Sequence, residues 1–177
     1  SLRNTLLHVW ERIKDFLVKA GTLILLMSVV LWVLQSFDTS LNLTNSAADS
    51  ILGAIGGFIA PIFRPLGFGT WQAAVALLTG LIAKEAVVAS LSMFYGFSLT
   101  AGSAVVAAAL SGTFNPLSAF SFLVFILMYV PCVAAVAAIR REMASLKWTL
   151  LSVGWQIFTA YTCSMLVYQL GRLIGLG

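Results

Sequence analysis

Two short stretches in an otherwise hydrophobic sequence contain residue types that could bind an ion or take part in a reaction. In the first, Pro131 and Cys132 stand side by side within FLVFILMYVPCVAAVAAIRREM, and Met128 precedes the cysteine by about one helical turn. Because Pro131 has no N–H, it cannot donate a hydrogen bond to the carbonyl of Leu127, and the local backbone keeps free acceptor oxygens. Backbone carbonyls, a soft sulfur and a carboxylate from elsewhere would suit a borderline divalent transition metal. A proline kink used only for packing, with Cys132 as a small buried hydrophobe, is the alternative.

The second stretch places two opposite charges next to each other. Lys84 and Glu85 lie near the centre of an apolar run from Trp71 to Tyr95. A charge at the midplane of a membrane helix costs roughly 2.5 to 3.5 kcal/mol even on a lenient scale, so such residues usually face a cavity or a partner. Neighbours on a helix point about 100° apart, and we therefore expect Lys84 and Glu85 to meet different partners. A position near the membrane surface is the alternative for both.

The amino-acid composition indicates the environment that surrounds these residues. The chain has 177 residues, of which 60% are hydrophobic and only 9% are charged, and its mean hydropathy is +1.01. These values predict a membrane protein. The net charge of +4 would also suit a nucleic-acid partner, but the basic residues are scattered and cluster only beside hydrophobic runs. That placement indicates orientation against a cytoplasmic membrane surface and excludes nucleic acid.

The hydrophobic pattern predicts an all-α fold, a polytopic transmembrane helical bundle with proline- and glycine-broken or re-entrant segments. Residues 1–15 have the pattern of an amphipathic interfacial helix, and residues 16–177 form the transmembrane domain. Glycines and prolines interrupt residues 51–69, so a continuous helix is not expected there, and residues 96–116 are expected to form a loop with one short helix. The expected spans lie near residues 16–37, 71–95, 117–139 and 148–170.

Charge and cysteine placement add two expectations. Arg140, Arg141 and Lys147 lie in a short turn between apolar runs, which places this turn on the cytoplasmic side. Cys132 and Cys163 lie in apolar stretches without CxxC spacing, so the sequence indicates neither a zinc site nor a disulfide framework. We also expect the chain to be a portion of a longer protein, because it begins at a serine and no signal peptide precedes its first apolar run.

Three sequence stretches together resemble the C-terminal half of the membrane domain of the FeoB ferrous iron transport family. They are TGLIAKEAVVASLSMFYG, MYVPCVAAVAAIRREM and WTLLSVGWQIFTAYTCSMLVYQLG, in the same order along the chain. The resemblance implies that Cys132 lies on the iron path in the second Gate region, with Pro131 as the helix breaker. The AKE motif of the family falls on Ala83, Lys84 and Glu85. Cys163 matches no motif of the family and is expected to serve packing.

The resemblance implies that the chain is the C-terminal membrane portion of a Fe2+ transporter in the bacterial inner membrane, with Cys132 and Glu85 as candidate metal-path residues. Lys84, Met128 and Pro131 support that path. No permanently bound cofactor is expected, since Fe2+ is the transported substrate. Expected partners are the lipid bilayer, an N-terminal G-protein domain and a first Gate region, with further copies of the chain left open. No GxxxxGK[ST] motif occurs in the sequence, so an enzyme is not expected. The alternative is a Gate-type module for nucleoside recognition, or a structural subunit that moves no metal.

Overall fold

The structure is a computed structural model. It describes residues 10, 11, 13, 14, 18, 22, 25, 26, 29–44, 46–82 and 84–175, and for Glu85 it describes the backbone only. Most of the interfacial helix predicted at residues 1–15, and nine residues of the span predicted near residues 16–37, lie outside the described residues. Residues 29–36, the last part of that span, are helical.

Every named element of the described chain is a helix, which confirms the all-α prediction. The helices are α1 (Ile51–Ile59), a 3-10 helix (Ala60–Leu66), α2 (Trp71–Gly80), α3 (Glu85–Tyr95), α4 (Ser103–Leu110), α5 (Pro116–Met128), α6 (Val133–Met143) and α7 (Leu146–Leu173). The single short helix expected within residues 96–116 is α4.

Three helices begin where the sequence supplies a side-chain cap. Ser50, Thr70 and Asn115 each accept a hydrogen bond from the backbone N–H three residues later, at 3.0, 3.3 and 2.6 Å. Such a cap pairs an N–H that has no partner inside the helix. At α5 the cap is followed directly by Pro116, whose missing N–H costs nothing at the first helical position. The starts of α1, α2 and α5 are therefore fixed locally.

The glycine- and proline-rich segment is broken, as its sequence predicted. The α1 helix tightens into the 3-10 helix, which contains Pro65, and the chain then bends by 99° before α2. Gly67 allows this turn because it has a φ of +89°, a conformation that is costly for residues with a side chain. The ring of Tyr168 on α7 also occupies the space that a Cβ at Gly67 would need.

Two helical segments of the described chain are long and apolar enough to cross a membrane. They are Pro116–Met143, which comprises α5 and α6, and Leu146–Leu173, which is α7; each has 28 residues. They coincide with the spans predicted near residues 117–139 and 148–170. The bent pair of α1 and α2 would make a third if it counts as one span. Residues 71–95, predicted as one span, contain two helices instead, α2, which ends at Gly80, and α3, which begins at Glu85.

An aromatic cluster joins the 3-10 helix to α5. Phe68 packs edge-on against Phe122 with ring centroids 5.0 Å apart, and Phe63 packs edge-on against Phe125 at 5.5 Å. Phe125 stacks in turn on Tyr129, also at 5.5 Å. Each such pair adds about 0.5 to 1.5 kcal/mol beyond its buried area. The cluster therefore holds the end of α5, and Tyr129 just after it, against the broken segment.

A pair of buried serines joins α5 to α7. The hydroxyl oxygens of Ser121 and Ser164 lie 2.8 Å apart, and both residues are fully buried. The Ser121 hydroxyl also lies 3.0 Å from the carbonyl of Ser164, and the Ser164 hydroxyl lies 2.9 Å from the carbonyl of Ser121. Small residues let the helix backbones approach closely, and the hydroxyls then hydrogen-bond across the interface.

We predict that Ser121→Ala and Ser164→Ala each lower the free energy of unfolding of the full-length protein by about 1 kcal/mol. The double variant should lose less than the sum of the single losses, because each substitution already breaks the shared interaction. Thermal unfolding in detergent measures all three variants. Ser92→Ala is the control, since the Ser92 hydroxyl donates to the carbonyl of Ala89 in its own helix. Strict additivity of the two losses would contradict the pairing.

Candidate functional site

The apolar span formed by α5 and α6 is interrupted beside the proline. The α5 helix ends at Met128, and Tyr129 turns into an extended conformation with ψ of 175°. Cys132 is also non-helical, with φ of −55° and ψ of 157°, and α6 begins at Val133. Pro131 lies inside this interruption, where its ring and missing N–H are incompatible with a continuing helix. Residues 129–132, called the proline break below, divide the span into two half-helices.

A second interruption separates α2 from α3. The α2 helix ends at Gly80, and α3 begins at Glu85. Turn-like hydrogen bonds close the end of α2, from the N–H of Leu81 to the carbonyl of Leu78 at 3.2 Å and from the N–H of Ile82 to the carbonyl of Thr79 at 3.1 Å. Leu81, Ile82 and Lys84 are called the lysine break below. Lys84 is its last residue, so the charged pair of the sequence lies at the start of a helix and not in the middle of one.

The two breaks contact each other through hydrogen bonds. The N–H of Val133, the first residue of α6, donates to the carbonyl of Leu81 at 2.8 Å. The hydroxyl of Tyr129 donates to the carbonyl of Leu77 at 3.3 Å. A polar backbone group without a partner costs several kcal/mol in hydrocarbon, so each break supplies partners that the other requires.

Lys84 makes the third connection between the breaks. Its Nζ donates to the carbonyl of Ile126 at 3.0 Å and reaches the carbonyl of Leu127 at 3.4 Å. The same Nζ lies 5.3 Å from the ring centroid of Tyr129, within cation–π range. Leu127 carries the carbonyl that Pro131 cannot satisfy. The sequence predicted free acceptor oxygens here, but in the structure they accept hydrogen bonds from a lysine ammonium 42 and 43 residues earlier in the chain.

The sulfur-bearing residues lie at the two ends of the proline break. Met128 is the last residue of α5 and is 40% exposed. Cys132 is the N-cap residue of α6, with a half-buried free thiol that makes no capping hydrogen bond. Its carbonyl accepts from the N–H groups of Ala135 and Val136, at 2.8 and 3.0 Å. The thiol therefore has no role in starting α6.

Glu85 is the first residue of α3, directly after the lysine break. Its side chain lies outside the described atoms. A negative charge is favourable in the first turn of a helix, where backbone N–H groups point outward. Among the described residues no group of three histidine, cysteine, aspartate or glutamate side chains could hold a metal ion.

Gln156 is a candidate that sequence reasoning missed. Its Oε1 is buried and accepts no hydrogen bond from the described part of the chain. The next residue, Ile157, lines a cavity together with Tyr129 and Val130, which places Gln156 at the level of the proline break. The available signal was a glutamine within the apolar run of α7, since polar residues in membrane spans usually face the bundle interior.

The cavity beside the breaks has a volume of about 150 Å³ and is lined by apolar and aromatic side chains. The lining residues are Ile59, Phe63, Ala74, Leu77, Leu78, Leu81, Phe125, Tyr129, Val130 and Ile157. The only side-chain polar atom among them is the Tyr129 hydroxyl, which already donates to Leu77. A nucleoside needs donors and acceptors for its base and its ribose, so this cavity does not suit one.

The sequence of the chain matches one family profile and several known proteins. The profile of the Gate family, described as nucleoside recognition, matches residues 17–146. The chain is 41% identical over 173 residues to the Fe(2+) transporter FeoB of Staphylococcus aureus, covering 98% of this chain and 25% of that protein. It is 38% identical over 180 residues to the Fe(2+) transporter FeoB of Methanocaldococcus jannaschii, covering 98% and 26%.

A more distant relative is the Fe(2+) transporter FeoB of Salmonella typhi, 29% identical over 218 residues, covering 95% of this chain and 28% of that protein. The chain thus spans about a quarter of the length of the curated relatives it matches. No solved structure matches it. These matches confirm the resemblance that the sequence motifs predicted.

Gly80 permits the close contact between the two breaks. A Cβ at this position would collide with the hydroxyl of Tyr129 and with Val87. We predict that Gly80→Ala destabilises the full-length protein by about 1 to 3 kcal/mol, because added atoms in a packed site force the surroundings apart. Thermal unfolding in detergent provides the measurement.

Gly154→Ala is the matched control, since Gly154 lies in α7 with open space around it. That substitution should be neutral or slightly stabilising, because alanine favours a helix more than glycine does. Equal unfolding temperatures for Gly80→Ala and the unaltered protein would contradict the tight contact between Gly80 and Tyr129.

Proposed function

The chain belongs to the Gate family, and on that premise we propose that it forms part of the ion permeation path of a Fe2+ transporter in a bacterial inner membrane. The observation that carries the proposal is the contact between two helix breaks. It brings Lys84 to the backbone carbonyls at the end of α5, in the same broken segment that contains the free thiol of Cys132. Transporters commonly bind substrates and ions at discontinuous helices near the middle of the membrane. The relatives described as Fe(2+) transporters add the identity of the ion.

The ends of the two half-helices differ in charge, and that difference favours a cation on one side of the proline break. The carbonyls of the last turn of α5 carry partial negative charge, while the N–H groups at the start of α6 carry partial positive charge. An ion approaching the break from the α5 side therefore meets carbonyl oxygens first. Cys132 follows at the start of α6 and offers a sulfur, which a borderline cation such as Fe2+ accepts as a ligand.

Other side chains support the path at the same level. The Met128 thioether is exposed at the end of α5, and α7 carries the buried amide oxygen of Gln156 next to Ile157, which lines the cavity beside the break. Glu85 adds a negative charge at the start of α3. The thioether and the amide oxygen are neutral donors, which hold a divalent ion weakly enough to release it, as transport requires.

The remaining parts of the path come from outside the chain in this proposal. Many large apolar side chains of α7 are exposed, which suits contact with lipid or with other membrane segments; they include Trp148, Leu151, Trp155, Phe158 and Leu170. We propose a first Gate region and an N-terminal G-protein domain as the partners, with further copies of the chain as an open alternative. We also propose that the connection between α6 and α7 lies on the cytoplasmic side, since Arg140, Arg141 and Lys147 are exposed on either side of it.

We predict that Cys132→Ser in the full-length transporter lowers Fe2+ uptake at least tenfold while the unfolding temperature stays within a few degrees of the original. A hydroxyl keeps the size of the side chain but is a poorer ligand than sulfur for a borderline metal. Uptake into proteoliposomes is measured with Fe2+ under anaerobic conditions. Cys163→Ser, at a half-buried cysteine within α7, is the matched control and should transport normally. Normal uptake by Cys132→Ser would remove the thiol from the path.

Glu85→Gln keeps the shape of the side chain and removes its charge. If the carboxylate attracts Fe2+ into the path, we expect uptake to fall several-fold with little change in the unfolding temperature. A carboxylate that serves as the partner of a buried cation predicts a different result, since removing it costs about 3 to 5 kcal/mol and lowers the yield of folded protein. Uptake and unfolding temperature, measured on the same preparation, separate the two roles, and a variant normal in both measurements would contradict the proposed role of Glu85.

A further inference from the structure

We propose that the Lys84 ammonium is a tethered cation that occupies the carbonyl site at the end of α5 and must leave before a metal ion is coordinated there. This inference rests on the proposed function and extends it, because it assigns a gating and selectivity role to a residue that is not itself a metal ligand. The site consists of the carbonyl oxygens of Ile126 and Leu127 and the ring face of Tyr129.

The geometry of this site is that of a cation site. The carbonyls of Ile126 and Leu127 belong to the last turn of α5, where they have no partner inside the helix. Leu127 would normally accept from the N–H of the residue at position 131, which is a proline. The two oxygens therefore face the proline break, together with the electron-rich face of Tyr129. A positive charge is the species that such a set of acceptors favours.

Lys84 fills this site from a different helix pair. Its Nζ lies 3.0 and 3.4 Å from the two oxygens, which is hydrogen-bond distance for the first and a longer contact for the second. Lys84 lies between α2 and α3, and it is half-buried there. Four carbon atoms join its ammonium to the backbone, so rotations of the side chain can remove the charge without unfolding either helix.

The Lys84 ammonium and a metal ion cannot occupy the carbonyl site at the end of α5 at the same time. An ammonium within about 4 Å of a divalent cation repels it strongly in a site of low dielectric. The same carbonyl oxygens cannot serve both cations at their optimal distances. Binding of Fe2+ at the end of α5 therefore requires that Lys84 move away, and return of Lys84 expels the ion. This exchange would favour a divalent ion over monovalent ions, because a single positive charge gains little over the ammonium that it replaces.

The first test compares Fe2+ binding to the full-length protein and to two variants, by anaerobic titration in detergent. Lys84→Gln removes the charge and retains an N–H donor for the carbonyls, and we expect it to bind Fe2+ at least about tenfold more tightly. Lys84→Arg retains the charge, so its affinity should stay within about threefold of the original protein. Unchanged or weaker Fe2+ binding by a folded Lys84→Gln overturns the proposal.

The second test needs no substitution and applies even if Lys84→Gln does not fold. An acylating reagent that enters membranes reacts with lysine amines, and mass spectrometry measures the reaction at each lysine. Saturating Fe2+ should increase the reaction rate of Lys84 several-fold, because the ammonium leaves the carbonyls. Lys147, which is exposed at the start of α7, is the internal control and should not change. An unchanged or lower rate at Lys84 under saturating Fe2+ identifies a purely structural lysine and overturns the proposal.

Cys132→Ser separates this inference from the proposed function. If Cys132→Ser loses Fe2+ uptake and Lys84→Gln binds Fe2+ like the original protein, the path is supported and the role of Lys84 is overturned. If neither variant differs from the original protein, both the path and the role of Lys84 are overturned. Loss of uptake in Cys132→Ser together with tighter binding in Lys84→Gln supports both.

Discussion

The requirement that every backbone polar group inside a membrane find a partner governs this structure. A broken helix leaves N–H and carbonyl groups unpaired, and hydrocarbon offers no water to replace the lost hydrogen bonds. The chain meets this requirement by placing two breaks side by side. Val133 at the start of α6 donates to Leu81, Tyr129 donates to Leu77, and Lys84 donates to the carbonyls at the end of α5. Neither break would be satisfied in the same way without the other.

The packing around the breaks is divided between rigid and adjustable parts. The serine pair and the aromatic cluster fix α5 against α7 and against the 3-10 helix, and all of these contacts lie on regular helices or at their ends. The connections between the two breaks are more adjustable, since they consist of single hydrogen bonds and one flexible lysine side chain. A rigid frame around a few exchangeable polar contacts is consistent with the ion path that we propose, since a transport site binds an ion and then releases it.

Sequence reasoning predicted the spans of α5–α6 and α7, the irregular segment at residues 51–69 and the unusual status of the Lys84–Glu85 pair. Hydropathy, proline chemistry and the cost of buried charge are local properties, and they are visible in a window of about 20 residues. It did not predict the interruption of residues 71–95, because a lone Gly80 in an apolar run is compatible with a helix. It also did not predict that Lys84 takes the carbonyl left by Pro131, since that pairing joins residues 42 and 43 positions apart. Gln156 was also missed, because the burial of its amide oxygen depends on helix packing and not on its neighbours in sequence.

Tyr129 shows why the two breaks act as a unit. Its backbone begins the proline break, its hydroxyl holds the last part of α2, and its ring faces the ammonium of Lys84. The same ring stacks on Phe125 and lines the apolar cavity beside the breaks. Any change in the position of Lys84 therefore alters the electrostatic surroundings of a residue that also connects α2 to α5. Gly80 supplies the space that this arrangement needs, because a side chain there would meet the Tyr129 hydroxyl. Pro131 thus breaks the helix, and three features together accommodate that break. They are the missing side chain at Gly80, the aromatic ring of Tyr129 and the charge of Lys84.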